Sequence, residues 1–327
     1  MLFSITSIKP IAIFRVSLII ITALSNIGCS DHEQSKVVNF SNTITLEKPD
    51  TKQRGDKQLR VAIGAMVSPR ESISIYQELL DYLGEKLGKE IVLEQRKTYS
   101  EINELLGKSE VDFAFVCSGP YVVGKEKYGL ELLAAPEVNG SHFYNAYLIV
   151  NKDSRFNTIE DLRSKTFALT DPDSNTGKLA PIGWLKKIGE KPETFFGSLI
   201  YTYSHDNSIL AVSRGFVDGA SVDGLIWAYF NKTNPDLTSN TRVILKSENY
   251  GTPPVVATRQ MSKSMKEAIK RALLGMRDDK RGAEILDRLM INRFVPAKDD
   301  WYNSIRDVIE SAGVSMEPQD GLSKSEN

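Results

Sequence analysis

Short runs of apolar residues alternate with longer segments in which apolar residues recur every three or four positions. The short runs are typical of buried strands, and the longer segments are typical of amphipathic helices. The first strand pattern occupies residues 59–64, and helical spacing follows over residues 69–87. Because strands and helices alternate along most of the chain, the sequence predicts an α/β fold with mainly parallel sheets flanked by helices.

The same alternation continues to about residue 312. Further strands are predicted at residues 91–94, 111–117, 130–134, 144–150, 166–170, 198–203, 218–222 and 241–246. Further helices are predicted at residues 100–106, 120–127, 159–163, 176–187, 207–214, 225–230, 263–276, 282–290 and 300–312. With 327 residues the chain is too long for one simple core, so we expect two lobes.

The first 28 residues differ from the rest of the chain. A cationic start precedes an apolar run at residues 16–24, which is too short to cross a bilayer comfortably and is typical of a secretory signal peptide. The next residues resemble a bacterial lipobox that ends at Cys29, although Asn26 stands where Leu is usual. We expect Cys29 to be lipidated, since several acyl chains anchor a protein stably. An ordinary signal peptide and a single N-terminal anchor helix are the alternatives.

Residues 29–58 are polar and show no sustained periodicity, which predicts a flexible tether, and residues 317–327 form a polar tail. The 41 Lys and Arg residues nearly balance the 42 Asp and Glu residues. This balance argues against nucleic acid as a partner. With Cys29 lipidated, Cys117 is alone and neither a disulfide nor a cysteine-based zinc site can form within the chain. Cys117 ends an apolar strand pattern and is predicted to be a buried thiol.

Polar side chains cluster at residues 171–177, between the strand at 166–170 and a predicted helix. Ser174, Asn175 and Thr176 would place side-chain donors beside the free N–H groups of the first helical turn. An oxyanion can bind there without a counter-charge. The alternative is an ordinary helix cap, because Ser, Asn and Thr are common at that position.

Two further segments end strands of the same lobe, at residues 204–206 and 222–224. Ligands of α/β sheets bind outside the carboxyl ends of the strands, so His205 is predicted to join the anion site. A neutral imidazole would donate one hydrogen bond and the cation two. A surface or capping histidine is the alternative. Asp206 and Asp223 are predicted to be helix N-terminal charges or caps.

Several motifs, in this order and spacing, resemble one family. They are Pro69-Arg70-Glu71, Tyr82-Leu83 with Lys86-Leu87-Gly88, residues 111–121, Asp161 to Lys165, residues 171–177, Ser204-His205-Asp206, Val217-Asp218-Gly219-Ala220, and Lys246-Ser247 with Pro253-Pro254. With these motifs the chain resembles the phosphate/phosphite/phosphonate-binding proteins of ABC importers, the PhnD-like periplasmic solute-binding proteins. The resemblance covers residues 61–302, most of the mature chain.

The resemblance implies a type II periplasmic-binding-protein fold with two hinge crossings, near residues 145–150 and 246–251. Lobe 1 would then comprise residues 59–145 and 250–316, and lobe 2 residues 146–249 with the anion loop. The implied ligand is a small phosphorus oxyanion (phosphate, phosphite or phosphonate) bound between the lobes. The implied ligand-binding residues are Ser174, Asn175, Thr176, His205, Tyr99, Tyr144 and Tyr121.

The implied function is a lipid-anchored binding protein on the extracytoplasmic side of a bacterial membrane that delivers the oxyanion to an ABC transporter permease. We expect a monomer that is not an enzyme, with no cofactor and no metal site. One alternative is a receptor lipoprotein for a membrane sensor, and another is a hydrolase with Cys117 as nucleophile and His205 as base. Since no acid is clearly directed at the cleft, Trp227 and Tyr250 are predicted to close over a small ligand.

Overall fold

The computed structural model describes residues 57–313. The predicted signal peptide, the predicted lipidation site Cys29, the predicted tether up to residue 56 and the predicted polar tail lie outside the described residues. Among the residues that the structure describes, no helix is long and apolar enough to cross a membrane.

The described part of the chain alternates strands and helices, as the hydrophobic pattern predicts. The strands are β1 (Gln58–Ile63), β2 (Glu90–Glu94), β3 (Phe113–Phe115), β4 (Glu131–Glu137), β5 (Phe143–Tyr144), β6 (Ala146–Asn151), β7 (Thr166–Leu169), β8 (Ser198–Tyr201), β9 (Gly219–Asp223), β10 (Thr241–Lys246), β11 (Tyr250–Gly251), β12 (Val255–Ala257) and β13 (Arg293–Val295). The helices are α1 (Pro69–Leu87), α2 (Tyr99–Gly107), α3 (Ser118–Tyr128), α4 (Ala180–Lys187), α5 (Pro192–Phe195), α6 (His205–Ser213), α7 (Gly224–Thr233), α8 (Pro235–Thr238), α9 (Lys263–Leu274), α10 (Lys280–Arg288) and α11 (Asn303–Ala312).

Two sheets organise the structure. The six-stranded sheet has the order β13-β4-β12-β3-β1-β2, and the five-stranded sheet has the order β10-β6-β9-β7-β8. We call the first sheet and the helices packed on it lobe 1, and the second sheet with its helices lobe 2. Each sheet buries a hydrophobic cluster under its own helices. A third cluster contains side chains of both lobes, from Ile102 of α2 to Trp184 of α4.

Both sheets are mixed, whereas the sequence predicted mainly parallel ones. β1 runs parallel to β2 and β3, and β7 runs parallel to β8 and β9. The strands that first enter each sheet after a crossing, β6 and β12, run antiparallel to both of their neighbours. Each of these strands follows a crossing between the lobes and runs opposite to the parallel strands of the sheet that it joins.

The two crossings between the sheets lie side by side. β5 pairs with β11, which places Tyr144 opposite Tyr250. The side-chain amide of Asn145 donates to the carbonyl oxygens of Ser247 at 2.8 Å and Glu248 at 3.0 Å. These bonds tie the two crossing segments together within the ranges predicted as hinges.

Local sequence signals explain the longest helix. Pro69 occupies the first turn of α1, where its missing N–H costs nothing, and Gly88 ends the helix in a left-handed conformation with φ 61°. Leu79, Leu80 and Leu83 are buried on its inner face. Both predicted bounds of this helix are therefore confirmed.

The C-terminal helix α11 was assigned to lobe 1 from the sequence, but it also contacts lobe 2. The Lys186 side chain of α4 donates to the Ser311 carbonyl oxygen of α11 at 2.6 Å.

Candidate functional site

The loop between β7 and α4 combines a helix cap with free polar groups. The Ser174 hydroxyl accepts the N–H of Gly177 at 3.0 Å, so Ser174 is a cap. A single π-helical turn, Asn175–Leu179, follows before α4 begins. Single π turns within helices are frequent at functional sites. The cap interpretation therefore applies to Ser174, and a binding role stays a prediction for its neighbours.

Buried polar atoms without partners mark the site. Among the described residues, the side-chain atoms that are buried and lack a hydrogen-bond partner include Tyr99 OH, Asn175 Oδ1, Thr176 Oγ1, Ser204 Oγ and His205 Nε2. Leaving such a group unpaired costs about 1–3 kcal/mol. Because several of them come from elements that meet at one loop, a bound polar ligand is the simplest source of their missing partners.

His205 is held as a neutral hydrogen-bond donor. Its Nδ1 accepts the backbone N–H of Asp223 at 3.1 Å and lies 3.2 Å from the Thr170 hydroxyl. Burial lowers the pKa of His205 to about 3, so the ring is uncharged near neutral pH. Since Nδ1 accepts, the ring proton resides on Nε2, which has no partner among the described residues. His205 therefore has one buried N–H group available for a ligand.

Two predicted tyrosines face this loop from lobe 1 and the crossing. The backbone N–H of Tyr99 donates to the Asp171 carboxyl at 3.1 Å, so Tyr99 contacts the anion loop, and its buried hydroxyl has no partner among the described residues. The Tyr144 hydroxyl is 2.6 Å from the Ser118 hydroxyl and accepts from the Asn175 amide at 3.4 Å. The structure thus brings together Tyr99, Tyr144, Ser174, Asn175, Thr176 and His205.

Tyr121 and Trp227 lie elsewhere. The Tyr121 hydroxyl donates to Asp299 at 2.5 Å, and its ring packs edge-on against Tyr302 at 4.6 Å. The Trp227 indole donates to the Thr241 hydroxyl at 3.0 Å, and its closing over a ligand stays a prediction. The structure does not place Tyr121 with the other candidates, because Asp299 satisfies its hydroxyl.

The lobes are in contact around the site. The backbone N–H of His205 in lobe 2 donates to the Met66 carbonyl of lobe 1 at 2.9 Å. In the reverse direction, the backbone N–H of Ser68 donates to the Asp206 carboxylate at 2.9 Å. Asp206 was expected to be a simple helix N-terminal charge, and it also bridges the lobes. The structure is therefore a closed form of the cleft.

Two buried carboxyls belong to residues that contact this site, Asp171 through Tyr99 and Asp223 through His205. Burial raises the pKa of Asp171 and of Asp223 to about 7. Asp223 accepts the N–H groups of Leu225 at 2.7 Å and Ile226 at 3.3 Å, which confirms it as the cap of α7. Carboxyls that are easily protonated repel a neighbouring anion less than permanently charged ones would.

Cys117 is poorly suited to the alternative catalytic role. Its thiol is completely buried, and burial raises its pKa to about 11. A nucleophilic cysteine needs a lowered pKa, because the thiolate is the reactive species. The structure therefore favours the buried structural thiol that the sequence predicted.

Ser204 is a candidate site residue that the sequence analysis did not assign. It precedes α6 and has a buried hydroxyl without a partner among the described residues. The sequence signal that could have identified Ser204 is its position directly before His205, at the end of a predicted strand. A serine at this position also fits a helix cap, which conceals its role in the sequence.

Comparisons with known proteins identify relatives. The sequence profile of a family described as "ABC transporter, phosphonate, periplasmic substrate-binding protein" matches residues 61–302. The probable ABC transporter phosphite binding protein PhnD1 of Prochlorococcus marinus is 25% identical over 177 residues, which cover 50% of this chain and 60% of that protein. The phosphonates-binding periplasmic protein of Escherichia coli is 24% identical over 293 residues, with 86% of each chain covered. The match to the Prochlorococcus protein thus spans less than two thirds of its length.

Solved structures share the fold. A binding protein component of an ABC phosphonate transporter from Pseudomonas aeruginosa superposes with a TM-score of 0.75 at 23% identity, covering 79% of this chain and 87% of that one. PhnD1 from Prochlorococcus marinus in complex with methylphosphonate gives 0.71 at 20% identity, covering 79% and 98%. The predicted type II periplasmic-binding-protein fold is confirmed by this similarity.

Proposed function

Since the chain belongs to the family of periplasmic phosphonate-binding proteins of ABC transporters, we propose that it captures a small phosphorus oxyanion between its lobes and delivers it to an importer. The observation that carries this proposal is the set of buried, unpartnered polar atoms around the anion loop. The hydroxyls of Thr176 and Ser204 and the Nε2–H of His205 would donate to the oxyanion, and Tyr99 would donate from lobe 1.

The polarity of the pocket favours a protonated oxyanion. Asn175 presents a buried oxygen acceptor without a partner among the described residues. Phosphate and phosphonate carry an acidic proton near neutral pH that such an acceptor can receive, whereas sulfate carries none. The closed site would therefore bind a phosphorus oxyanion more tightly than sulfate, whose lone pairs would face this acceptor.

Calorimetric titration of the protein with phosphate, phosphite, methylphosphonate and sulfate tests this function. We expect saturable one-site binding of at least one phosphorus oxyanion and much weaker binding of sulfate. X-ray scattering across the same titration should show a smaller radius of gyration at saturation, because the lobes close on the ligand. Absence of binding by every phosphorus oxyanion would refute the proposal, and an unchanged radius would refute lobe closure.

The lipid anchor belongs to the same proposal. An acylated Cys29 would hold the protein on the extracytoplasmic side of the membrane, next to the permease. The support is the signal-like segment followed by Cys29 in the sequence. Mass spectrometry of the N-terminal peptide should show acyl chains on Cys29, and a Cys29→Ser variant should leave the membrane fraction. An unmodified Cys29 in the mature protein would refute the anchor.

A further inference from the structure

Lys97 and Tyr203 meet across the cleft from opposite lobes. Lys97 lies between β2 and α2 of lobe 1, and Tyr203 lies between β8 and α6 of lobe 2. The Lys97 Nζ is 4.1 Å from the centre of the Tyr203 ring, within the range of a cation–π interaction. Comparable contacts elsewhere in the described chain, such as Lys165 with Phe156, join residues of the same lobe. The contact of Lys97 with Tyr203 therefore connects the lobes.

The backbone of Tyr203 has an unusual conformation. Its φ is 60°, in the left-handed region that favours glycine and that is rare for a bulky side chain. The Tyr203 N–H donates to the Thr170 carbonyl oxygen at 2.7 Å, which fixes the loop just beyond the end of β7. Strain of this kind persists only where the surrounding structure enforces it, and it is concentrated at ligand clamps and switch regions. A glycine at this position would remove the strain but would also remove the ring, so the strain points to a role for the ring.

The backbone at Lys97 is also fixed. The next residue, Thr98, caps α2, because its hydroxyl accepts the Glu101 N–H at 3.3 Å and its own N–H donates to the Glu101 carboxylate at 2.8 Å. In the first turn of the same helix, the Tyr99 N–H donates to the Asp171 carboxyl of the anion loop. The Lys97 side chain therefore extends from a segment whose position relative to lobe 2 is defined.

The pair lies at the solvent edge of the contact between the lobes. Lys97 and Tyr203 each precede a candidate site residue by two positions, Tyr99 and His205 respectively. Tyr99 and His205 are at most 1% exposed, whereas Tyr203 is half-buried and Lys97 is exposed. The contact is therefore farther from the buried core of the interface than the candidate ligand donors are.

We propose that Lys97 and Tyr203 form a latch that keeps the cleft closed and slows the release of bound ligand. The inference rests on the proposed function. A ligand held by the buried donors leaves when the lobes separate, and their separation removes the Lys97 ammonium group from the Tyr203 ring. The contact thus stabilises the closed form relative to the open form, so it lengthens the time that the ligand stays bound. A cation–π interaction needs the positive charge and the aromatic face, but it does not need the tyrosine hydroxyl.

The rate of ligand release from the full chain tests the latch. The protein is loaded with radiolabelled methylphosphonate, or with radiolabelled phosphate if calorimetry shows that phosphate is the ligand, and is then mixed with excess unlabelled ligand. Lys97→Met and Tyr203→Leu should each release the label about two- to fivefold faster, which is the factor expected from an exposed cation–π interaction. Lys97→Arg and Tyr203→Phe keep the cation and the ring, so their release rates should stay close to that of the wild type.

A double-mutant cycle shows whether the two residues act through each other. If they do, the variant with both Lys97→Met and Tyr203→Leu should release ligand no faster than either single variant. The matched control is Lys165→Met, which removes an exposed lysine whose aromatic contact lies within lobe 2, and its release rate should not change. Melting temperatures show which variants are folded, and the exposed Lys97→Met carries the test if Tyr203→Leu is unfolded.

Three results would overturn the latch. The first is release at the wild-type rate by folded Lys97→Met, and the second is a double variant in which the two effects multiply. The third is slower association without faster release in Lys97→Met, because Lys97 would then only attract the anion.

The proposed function and this inference fail in different ways. If a phosphorus oxyanion binds and every variant releases it at the wild-type rate, the function stands and the latch is refuted. If no phosphorus oxyanion binds at all, both proposals are refuted.

Discussion

Two strand-to-helix loops face each other in this protein, one from each lobe. In lobe 1, residues 116–117 connect β3 to α3, which begins at Ser118, and in lobe 2, residues 170–174 connect β7 to the π-helical turn that begins at Asn175 and leads into α4. Both loops are buried and both begin helices at the carboxyl end of a parallel strand. By architecture alone, either loop would be a candidate anion site.

The loops differ in how their polar groups are satisfied. The Ser118 hydroxyl is 2.6 Å from the Tyr144 hydroxyl, and Cys117 is an apolar thiol with a raised pKa. In the lobe 2 loop, Thr176 Oγ1 and Asn175 Oδ1 have no partner among the described residues. Strand-to-helix geometry therefore makes binding possible in both loops, whereas unsatisfied donors and acceptors identify the loop that a ligand completes.

The largest expected effect comes from Thr176→Val, which removes a free hydroxyl and keeps the shape of the side chain. A hydrogen bond to a charged group contributes about 1.5–3 kcal/mol, so affinity for methylphosphonate should fall about 10- to 100-fold. Ser118→Ala is the control in the opposite loop, and its effect on affinity should be clearly smaller. Calorimetry measures the loss of methylphosphonate affinity in both variants. Equal losses would mean that the loops do not differ in function.

Ser174→Ala completes this test within one loop. Ser174 caps the helix through the N–H of Gly177, so its loss should lower the free energy of unfolding by about 1 kcal/mol. Thr176→Val should leave that free energy less affected while weakening binding more. Denaturant unfolding of both variants without ligand measures the two losses in free energy of unfolding. A larger loss in Thr176→Val than in Ser174→Ala would assign the cap to Thr176 and the ligand contact to Ser174.

The next effect concerns the close approach of the two loops. A Cβ on Gly119 would lie 2.5 Å from the Asp173 carbonyl oxygen across the cleft, so Gly119→Ala should obstruct closure. Overpacking typically costs about 1–3 kcal/mol, which predicts about a tenfold loss of affinity. The scattering change on ligand addition should shrink as well. Gly183→Ala is the control, because its nearest neighbour would be 3.9 Å away, and wild-type affinity in Gly119→Ala would show that the loops can separate without cost.

A smaller effect should appear with pH through Asp223. Burial raises its pKa from 3.8 to about 7 in the closed form, so closure favours the protonated carboxyl. Its contribution to the closed form is therefore present at low pH and is lost as pH rises through 7. Asp223→Asn keeps a capping oxygen and does not titrate. The ratio of the wild-type Kd to the variant Kd should therefore rise from pH 5 to pH 7.5.

Taking this ratio cancels the titration of the ligand and of Asp171, which are common to both proteins. The tyrosines and the thiol that face Asp223, namely Tyr76, Tyr99, Tyr144 and Cys117, all have raised pKa values and stay protonated over this range. A ratio that is constant or falls with pH would show that Asp223 is already ionised in the closed form.

The sequence predicts elements well where local signals agree. α1 was predicted with both of its ends, because Pro69 starts it, Gly88 stops it and the leucines recur at helical spacing. β12 and β13 have three residues each, too few to show a period, and both were missed. Their strand conformation depends on pairing with β4, a contact that local patterns do not encode.

Local sequence patterns also fail to show which individual residues belong to the candidate site. Tyr99 and Tyr121 both stand near the start of a helix that follows a strand, so the pattern treats them alike. Tyr121 is satisfied by Asp299, which lies 178 positions later in the sequence, whereas the Tyr99 hydroxyl has no partner in the described part of the chain. Which polar groups remain free depends on the complete tertiary structure, so Ser204 was missed and Tyr121 was included.

The smallest effect is expected from Cys117, the member of the lobe 1 loop that a catalytic function would require. Cys117→Ala removes a buried, protonated thiol that bears no reactive charge near neutral pH. Affinity for methylphosphonate should stay within about twofold, and the free energy of unfolding should fall modestly because a small buried side chain loses packing contacts. The native thiol should also resist alkylation by iodoacetamide until the protein is denatured. Rapid alkylation of the native protein that abolishes ligand binding would place Cys117 in the binding site and remove the distinction between the two loops.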